Sequence, residues 1–162
     1  MFDSTVGGAS ANSYVTLEAA EAYFFGRLSD SAWDEADEAT RESALIMATA
    51  RLDAETFVGS PVTTTQRLQW PRYGAYDRNG NQYVTTAIPS LIQDATCELA
   101  LAVLDDPDLL GGGSGLSEFQ NLRLGSLDIT PRVAPSGALP MFILRLLYPL
   151  RVGGFQNRVV RA

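Results

Sequence analysis

One segment constrains the fold of this chain more than any other, and it lies at residues 89–105. The segment begins with Pro89, which suits the first turn of a helix, and continues with apolar residues at helical spacing. An apolar face this broad has to be covered by neighbouring elements. The segment therefore predicts a helix packed inside a bundle, with its apolar face formed by Leu91, Ile92, Ala95, Leu99, Ala102 and Val103.

Two further helices are predicted upstream. The first covers residues 17–28, with Thr16 as its N-cap and Glu18 in its first turn. The second covers residues 37–55, and glycine and proline soon after residue 55 end it. Trp33 lies in the polar connection between the two helices and is expected to be a buried anchor. Residues 1–110 are therefore predicted to form a helical body.

The sequence changes character after "GGGSG" at residues 111–115, which predicts a flexible joint. Apolar residues alternate along residues 122–129, as in a strand. Pro140 then precedes a short helix that ends near Tyr148. The predicted fold is mainly α: a small helical bundle with a short β element and an extended C-terminal arm carrying a short helix. Residues 111–162 form the joint, the strand-like segment and the interaction arm.

The chain of 162 residues has no histidine and no lysine, and it has one cysteine. These absences exclude Ser-His-Asp and Cys-His catalysis, Schiff-base lysines, histidine metal sites and multi-thiolate metal sites. We therefore expect no enzyme activity, no cofactor and no metal. A small hydrolase that uses the adjacent acids Glu18 and Glu21, or Asp105 and Asp106, is the remaining catalytic alternative. No apolar run is long enough to predict a membrane span.

Charge is distributed unevenly along the chain. Residues 1–110 carry seventeen acids and six arginines, a net charge of −11, whereas residues 111–162 carry two acids and six arginines, a net charge of +4. An acidic body disfavours general DNA binding, which needs clustered basic residues. No acid follows Asp128, while five arginines do. Such a tail indicates an acidic partner, protein or nucleic acid, although it could also serve solubility alone.

The stretch "QRLQWPRYGAYDRNG" at residues 66–80 combines aromatic side chains with arginines. Its proline excludes a regular helix or central strand there, and Asn79-Gly80 is typical of a turn. Residues 68–70 and 83–85 could pair as a short hairpin, or the whole stretch could be an ordered loop.

Three interpretations of this stretch remain open. It could close the helical body or contact a neighbouring subunit, stack on nucleic-acid bases, or bind a carbohydrate or another ligand. The structural interpretation is favoured, because a buried tryptophan is a common anchor and the body is acidic. The residues assigned to this structural loop are Trp70, Pro71, Arg72 and Tyr73.

Five motifs occur in an order that resembles a family of tailed-phage proteins. They are "ANSYVTLEAAEAYFFGRL", "ALIMATARLD", "QRLQWPR", "IPSLIQDATCELALAVL" and "SEFQNLRLGSLDI", and they extend over about residues 12–130. Sequences of this kind are identified as head–tail adaptors, or connectors. The same group is also labelled a DnaT-like single-stranded-DNA-binding domain.

The adaptor resemblance implies a non-catalytic protein that forms a twelvefold ring beneath the portal in the neck of the virion. Its implied partners are the portal protein, adjacent adaptor subunits, and a tail or neck protein below. DNA would contact the ring only while passing through its channel, and the protein would be made in the host cytoplasm. The alternative label implies a replication-associated protein that binds single-stranded DNA.

Adaptors of this kind use their C-terminal segment to grip the portal, which directs attention to residues 131–162. We expect that segment to be mobile in the free protein and to order on a partner. The combination of apolar side chains and arginines is typical of interfaces. The residues predicted to bind a partner are Phe142, Arg145, Leu146, Tyr148, Arg151, Phe155, Arg158 and Arg161.

Overall fold

The structure, a computed structural model, describes residues 1–27, 31–110, 122–124, 127–129 and 139–152. Within this part of the chain the fold is mainly helical, as the sequence predicts. A short 3-10 helix, Pro107–Leu109, follows the fourth α-helix. The α-helices are α1 (Leu17–Phe24), α2 (Ser31–Glu35), α3 (Glu38–Asp53), α4 (Ser90–Asp105) and α5 (Met141–Leu147).

Helix α4 is the centre of the bundle, because α1, α2, α3 and α5 all pack against it. Ile92, Ala95 and Leu99 are completely buried on the face that the sequence predicts to be apolar. Pro89 stands at the N-cap, so the predicted start of this helix is confirmed to within one residue. The broad apolar face of residues 89–105 is therefore the surface around which the rest of the domain folds.

Side-chain caps fix where the first and third helices begin. The Thr16 hydroxyl accepts a hydrogen bond from the backbone N–H of Ala19 at 3.0 Å, as predicted. The Asp37 carboxylate does the same for Thr40 at 2.8 Å. Helix α1 ends at Phe24, short of the predicted residue 28, and residues 28–30 lie outside the described part. Trp33 is buried, as expected, but on the separate short helix α2.

Two small antiparallel sheets accompany the helices. Strand β1 (Ser60–Pro61) pairs with β2 (Arg72–Tyr73), so the chain between residues 61 and 72 forms a loop. Strands β3 (Leu122–Leu124) and β4 (Leu127–Ile129) pair with each other, which confirms the strand-like prediction for residues 122–129. The possible hairpin between residues 68–70 and 83–85 does not form, and residues 66–80 are instead an ordered, mostly irregular segment that contains β2.

Helix α5 differs from the sequence-based expectation of an arm separate from the body. Its Ile143 and Leu147 are completely buried, and α5 packs against α4. After the helix, the backbone N–H of Val152 donates to the Thr56 carbonyl at 3.0 Å. Residues 139–152 are therefore part of the same core as the helical body. A short helix with so many apolar residues buries one face in its own subunit. The predicted division at residue 110 and the mobile arm stay predictions for residues 111–121, 130–138 and 153–162, which lie outside the described residues.

Candidate nucleic-acid interface

Trp70 lies inside the domain rather than on its surface. Its side chain is 1% exposed, and its ring centroid is 5.7 Å from that of Phe57 and 6.2 Å from that of Tyr83. Both contacts are edge-to-face, the arrangement that aromatic pairs prefer. The Nε1 atom has no hydrogen-bond partner among the described residues. Trp70 therefore serves packing, and its ring is not available to stack on a base.

Arg72 is also buried, and its guanidinium group bonds to oxygen atoms of neutral groups in the described part of the chain. Nε donates to the Val58 carbonyl at 2.8 Å, and Nη2 donates to Gly59 at 2.6 Å and Phe57 at 3.3 Å. Nη1 donates to the backbone and side-chain oxygens of Gln69 at 3.2 and 2.6 Å. We call this set of five hydrogen bonds the Arg72 clasp; it ties residues 69–72 to residues 57–59.

Burial lowers the pKa of Arg72 from its ordinary value, while the nearby Tyr14 and Asp53 act in the opposite direction. An arginine nevertheless stays protonated in proteins. The clasp therefore places a positive charge inside the domain, compensated by carbonyl dipoles. That charge is unavailable to a phosphate.

The backbones of β1 and β2 approach closely at Gly59. A Cβ atom there would lie 1.9 Å from the Tyr73 carbonyl oxygen, and Gly59 has φ of +74°, which other residues rarely adopt. Only glycine fits this position. The close approach places three carbonyl oxygens of residues 57–59 where the Arg72 guanidinium can bond to them.

Residues 76–81 form a second structured feature, which we call the outer turn. The Asp77 carboxylate accepts hydrogen bonds from the backbone N–H groups of Asn79 and Asn81, both at 2.8 Å. The Asn81 side chain donates to the same carboxylate at 3.1 Å. These bonds, the Asn81 side chain first, hold the pKa of Asp77 below 3.8. Gly80 has φ of +84°, so the turn predicted at Asn79-Gly80 is confirmed.

An open cleft of about 1080 Å³ lies beside the outer turn. The outer turn lines one part of the cleft, and Pro149 and Val152, from the chain after α5, line another. The cleft is large enough for a small molecule or part of an extended chain. Its lining residues are Val58, Gly59, Gly74, Tyr76, Asp77, Arg78, Asn79, Gly80, Pro149 and Val152.

The charges on the cleft wall are few and nearly balanced. Asp77 and Arg78 are the charged residues of the lining, and the Asp77 carboxylate is engaged inside the turn. Arg78 is exposed, and no carboxylate of the described residues lies within 4.0 Å of its guanidinium. Tyr76 adds a half-buried aromatic ring. The cleft therefore combines an aromatic ring, an available guanidinium and an available amide.

The structural loop residues do not share one environment. Trp70, Pro71 and Arg72 are buried, whereas the side chain of Tyr73 is 51% exposed. Alternation along β2 accounts for this, since neighbouring strand residues point to opposite faces. Tyr73 lies between the clasp and the cleft-lining Gly74, so its ring is on the surface rather than in the core.

The residues predicted to bind a partner are also divided. Phe142 and Tyr148 are 46% and 45% exposed, and Arg145 is exposed as well. Leu146 is partly buried against the core, and the Arg151 guanidinium pairs with Glu55 at 2.7 Å. Phe155, Arg158 and Arg161 lie outside the described residues. The α5 face, which we define as Met141, Phe142, Arg145 and Tyr148, is thus an exposed surface that is largely apolar.

The sequence-based assignment did not include the residues of the cleft. Tyr76, Arg78 and Asn79 belong to the stretch at residues 66–80. Their residue types, aromatic, arginine and amide, were the sequence signal that could have indicated a binding site there. Pro149 and Val152 were not detectable in this role, because they line the cleft only as a result of α5 docking on the body.

Two other polar clusters have structural roles. Asp53 accepts hydrogen bonds from the Tyr14 hydroxyl and from the backbone N–H of Gln69. Glu98 accepts from the Tyr23 hydroxyl and pairs with Arg27. Burial, and secondarily the adjacent carboxylate, raises the pKa of Tyr14 above its usual range. The Asp53 cluster links the end of α3 to residues 14 and 69, and the Glu98 cluster links α4 to residues 23 and 27.

The described residues offer little for catalysis or metal binding. Within them no group of three or more His, Cys, Asp or Glu side chains could hold a metal ion. Burial raises the pKa of the Cys97 thiol to about 12. Glu18 and Glu21 are exposed on α1, and Asp105 and Asp106 are exposed at the end of α4. None of the helices in this part of the chain has the length and apolar character needed to cross a bilayer.

Comparison with known proteins identifies a family for this chain. No curated protein and no solved structure matches the chain. A family model described as "Putative DnaT-like ssDNA binding protein" matches residues 2–162, nearly the whole sequence. The chain therefore belongs to this DnaT-like family.

Proposed function

We propose that this protein binds single-stranded DNA and that the cleft beside the outer turn is the binding site. The observation that carries the proposal is the combination of the Tyr76 ring, the available Arg78 guanidinium and the Asn79 amide on one wall of an open cleft. Aromatic rings beside arginines are what single-strand sites use. The description of the family supports the same function.

Binding of this kind is expected to be weak and to depend more on base stacking than on phosphate contacts. The net charge of −7 opposes the approach of a polyanion, and Arg72 is enclosed in its clasp. Arg78 is the arginine of the cleft wall, so we expect it to make one phosphate contact. One phosphate contact corresponds to a logarithmic salt slope of about −0.7 for a single strand.

The experiment is fluorescence anisotropy with a labelled single strand of about 12 nucleotides, within the range of known site sizes. We expect binding at low salt and a slope close to that of one phosphate contact. Arg78→Ala should weaken binding and flatten the slope, whereas Arg145→Ala, at another exposed arginine, should change neither. Absence of binding at low salt, or equal binding by the Arg78→Ala protein, would refute the proposal.

A second candidate function is assembly into the neck of a phage particle as a head–tail adaptor. The observation that favours it is the α5 face, where Met141, Phe142 and Tyr148 are 65%, 46% and 45% exposed beside Arg145. Exposed apolar residues of this size mark interaction surfaces. In this proposal the face contacts the portal protein or an adjacent adaptor subunit, and a tail or neck protein binds below.

The proposed ring would have the twelvefold symmetry of the portal. Twelve copies at −7 each carry −84 in total, a charge that would repel DNA and let it pass through the channel. The absence of enzyme activity remains part of this proposal.

Substitutions on the exposed α5 face test the adaptor proposal better than a truncation after Thr130. The truncation would also remove the buried Ile143 and Leu147 from the core. We expect the double variant Met141→Ser, Phe142→Ser to melt like the parent protein but to be absent from particles examined by electron microscopy. The Arg78→Ala variant is the matched control and should enter particles normally. Incorporation of the double variant at full copy number would refute the adaptor proposal.

A further inference from the structure

We propose that Tyr73 is a second base-stacking residue beside the cleft, so that the protein holds two bases of a single strand, one on Tyr73 and one on Tyr76. This inference rests on the proposed single-stranded-DNA function and adds a contact residue to that site. Tyr76 lines the cleft, and Tyr73 directly precedes another lining residue, Gly74.

The ring of Tyr73 has no structural partner in the described part of the chain. The residue is 51% exposed, and its side chain forms no hydrogen bond and no ring contact with any described residue. The Tyr14 and Tyr23 hydroxyls, by contrast, bond to carboxylates. The Tyr83 ring contacts that of Trp70. The ring of Tyr73 is therefore available to a ligand, because no hydrogen bond or ring contact with a described residue has to be broken first.

The position of Tyr73 on β2 explains why its ring faces outward beside the cleft. The preceding residue, Arg72, is buried in the clasp, and successive side chains of a strand point to opposite faces. The Tyr73 backbone also lies directly against Gly59, since a Cβ atom at Gly59 would overlap the Tyr73 carbonyl oxygen. Gly59 and Gly74 both line the cleft, so Tyr73 borders it at β2.

The backbone between the two tyrosines carries no side chain that would obstruct a strand. The intervening residues are Gly74 and Ala75, and Ala75 is completely buried. Gly74 is exposed and packs beside Gly59, where a Cβ atom on Gly74 would lie 3.7 Å from the Gly59 Cα atom. The Cα atoms of residues three apart are separated by at most about 11 Å. A short strand that crosses the chain at Gly74 can therefore reach both rings.

Stacking is also the kind of contact that suits the charge of this protein. The net charge of −7 opposes contacts with phosphate groups. Stacking on an aromatic ring needs no positive charge and accepts any base, because every base has a π-face. A second ring therefore adds affinity without adding to the salt dependence or to base preference.

The test is fluorescence anisotropy with a labelled thymidine strand of about 12 nucleotides. Tyr73→Ala should weaken binding by about 5- to 150-fold, the effect of losing one stacked base, and should leave the salt slope unchanged. Tyr73→Phe keeps the ring and should bind like the parent protein. The matched control is Phe25→Ala, which removes a side chain that is 94% exposed and does not line the cleft, and it should change neither quantity.

A measurement on the parent protein tests the same contact without a substitution. A base stacked on Tyr73 shields the ring protons, so their NMR resonances should move upfield when the thymidine strand is added. Thermal melting of each variant shows whether it keeps the fold of the parent protein.

The outcomes separate this inference from the function on which it rests. Equal binding by the parent and Tyr73→Ala proteins, or Tyr73 ring resonances that do not move, would overturn the stacking contact and leave the proposed function intact. A changed salt slope in Tyr73→Ala, or an equal loss of affinity in Tyr73→Phe or Phe25→Ala, would also overturn it. No binding by the parent protein at low salt would overturn both.

Discussion

Two parts of one loop have the same local pattern and opposite environments. Trp70 and Arg72 are an aromatic residue and an arginine two positions apart, and Tyr76 and Arg78 repeat that spacing six residues later. The first arginine is 6% exposed and forms the clasp, whereas the second is exposed at the cleft. The first aromatic ring fills the core, and the second lines an open surface.

The difference arises from partners far away in the sequence. Arg72 meets the carbonyl oxygens of residues 57–59, which β1 and β2 bring beside it. The outer turn satisfies its own backbone through Asp77, and its arginine side chain has no such partners among the residues that the structure describes. The same residue type, arginine, therefore becomes part of a structural clasp or an available binding group according to what the fold places next to it.

The largest effect is expected at Trp70. Trp70→Ala removes a fully buried ring that contacts Phe57 and Tyr83, and should lower the free energy of unfolding by about 3–5 kcal/mol. Trp70→Phe should cost clearly less, because the Nε1 atom forms no hydrogen bond with any described residue that the change could remove. Denaturant unfolding measures both. Equal losses for the two variants would show that the indole ring is not primarily a packing element.

The next largest loss of stability is expected on substitution of Arg72. Arg72→Ala leaves buried carbonyl oxygens without donors, and we expect a loss of about 3 kcal/mol in the free energy of unfolding. In a domain of this size the melting temperature would fall by roughly 6–12 °C. Arg72→Lys should not restore stability, since an ammonium group cannot reproduce the fork.

Arg78→Ala is the matched control for the clasp, and its effect should stay within about 0.5 kcal/mol, as for most surface substitutions. Similar losses at Arg72 and Arg78 would remove the distinction between the two halves of the loop.

Substitutions at two glycines test the same difference between the clasp and the outer turn, with a smaller change in side-chain size. Gly59 and Gly80 both have positive φ, but a Cβ at Gly59 would overlap the Tyr73 carbonyl oxygen, and one at Gly80 would meet nothing within 4 Å. Gly80→Ala should therefore cost only the backbone strain, about 1–2 kcal/mol. Gly59→Ala should cost more, because the clasp must shift as well. Thermal melting compares them, and an equal cost would contradict the close approach of β1 and β2.

The helical part of the fold could be predicted from local patterns. Thr16, Pro89 and the apolar spacing of residues 89–105 act within a few residues of one another, and the structure confirms them. The buried face of α5 was also present in the spacing of Ile143, Leu147 and Leu150. It was missed because Phe142 and Leu146 are apolar too, so the sequence did not distinguish a docked helix from a detached one.

The candidate site could be predicted only in part. The residue types of the outer turn were visible, as was its glycine. The cleft was not, because its second wall depends on Pro149 and Val152, about 70 residues away from the turn along the chain. The sequence also could not show whether the side chain of Arg72 or Arg78 is available for binding, because that depends on the pairing of β1 with β2.

The smallest effect concerns the pH dependence of the outer turn. The folded pKa of Asp77 lies below 3.8 because the charged carboxylate accepts hydrogen bonds from Asn81 and Asn79. A depressed acid pKa means that the stabilisation is complete above the unfolded value and is lost as the pH falls through the folded value. The turn should therefore be intact at pH 5–7 and loosen only below about pH 3.8. Amide chemical shifts of Asn79 and Asn81, followed by NMR, should titrate with an apparent pKa below 3.8, while the Arg72 Nε–H shift should change much less because Nε donates to the Val58 carbonyl and not to a carboxylate. Titration of both sites together would mean that the outer turn and the clasp open as one unit, and the comparison between them would fail.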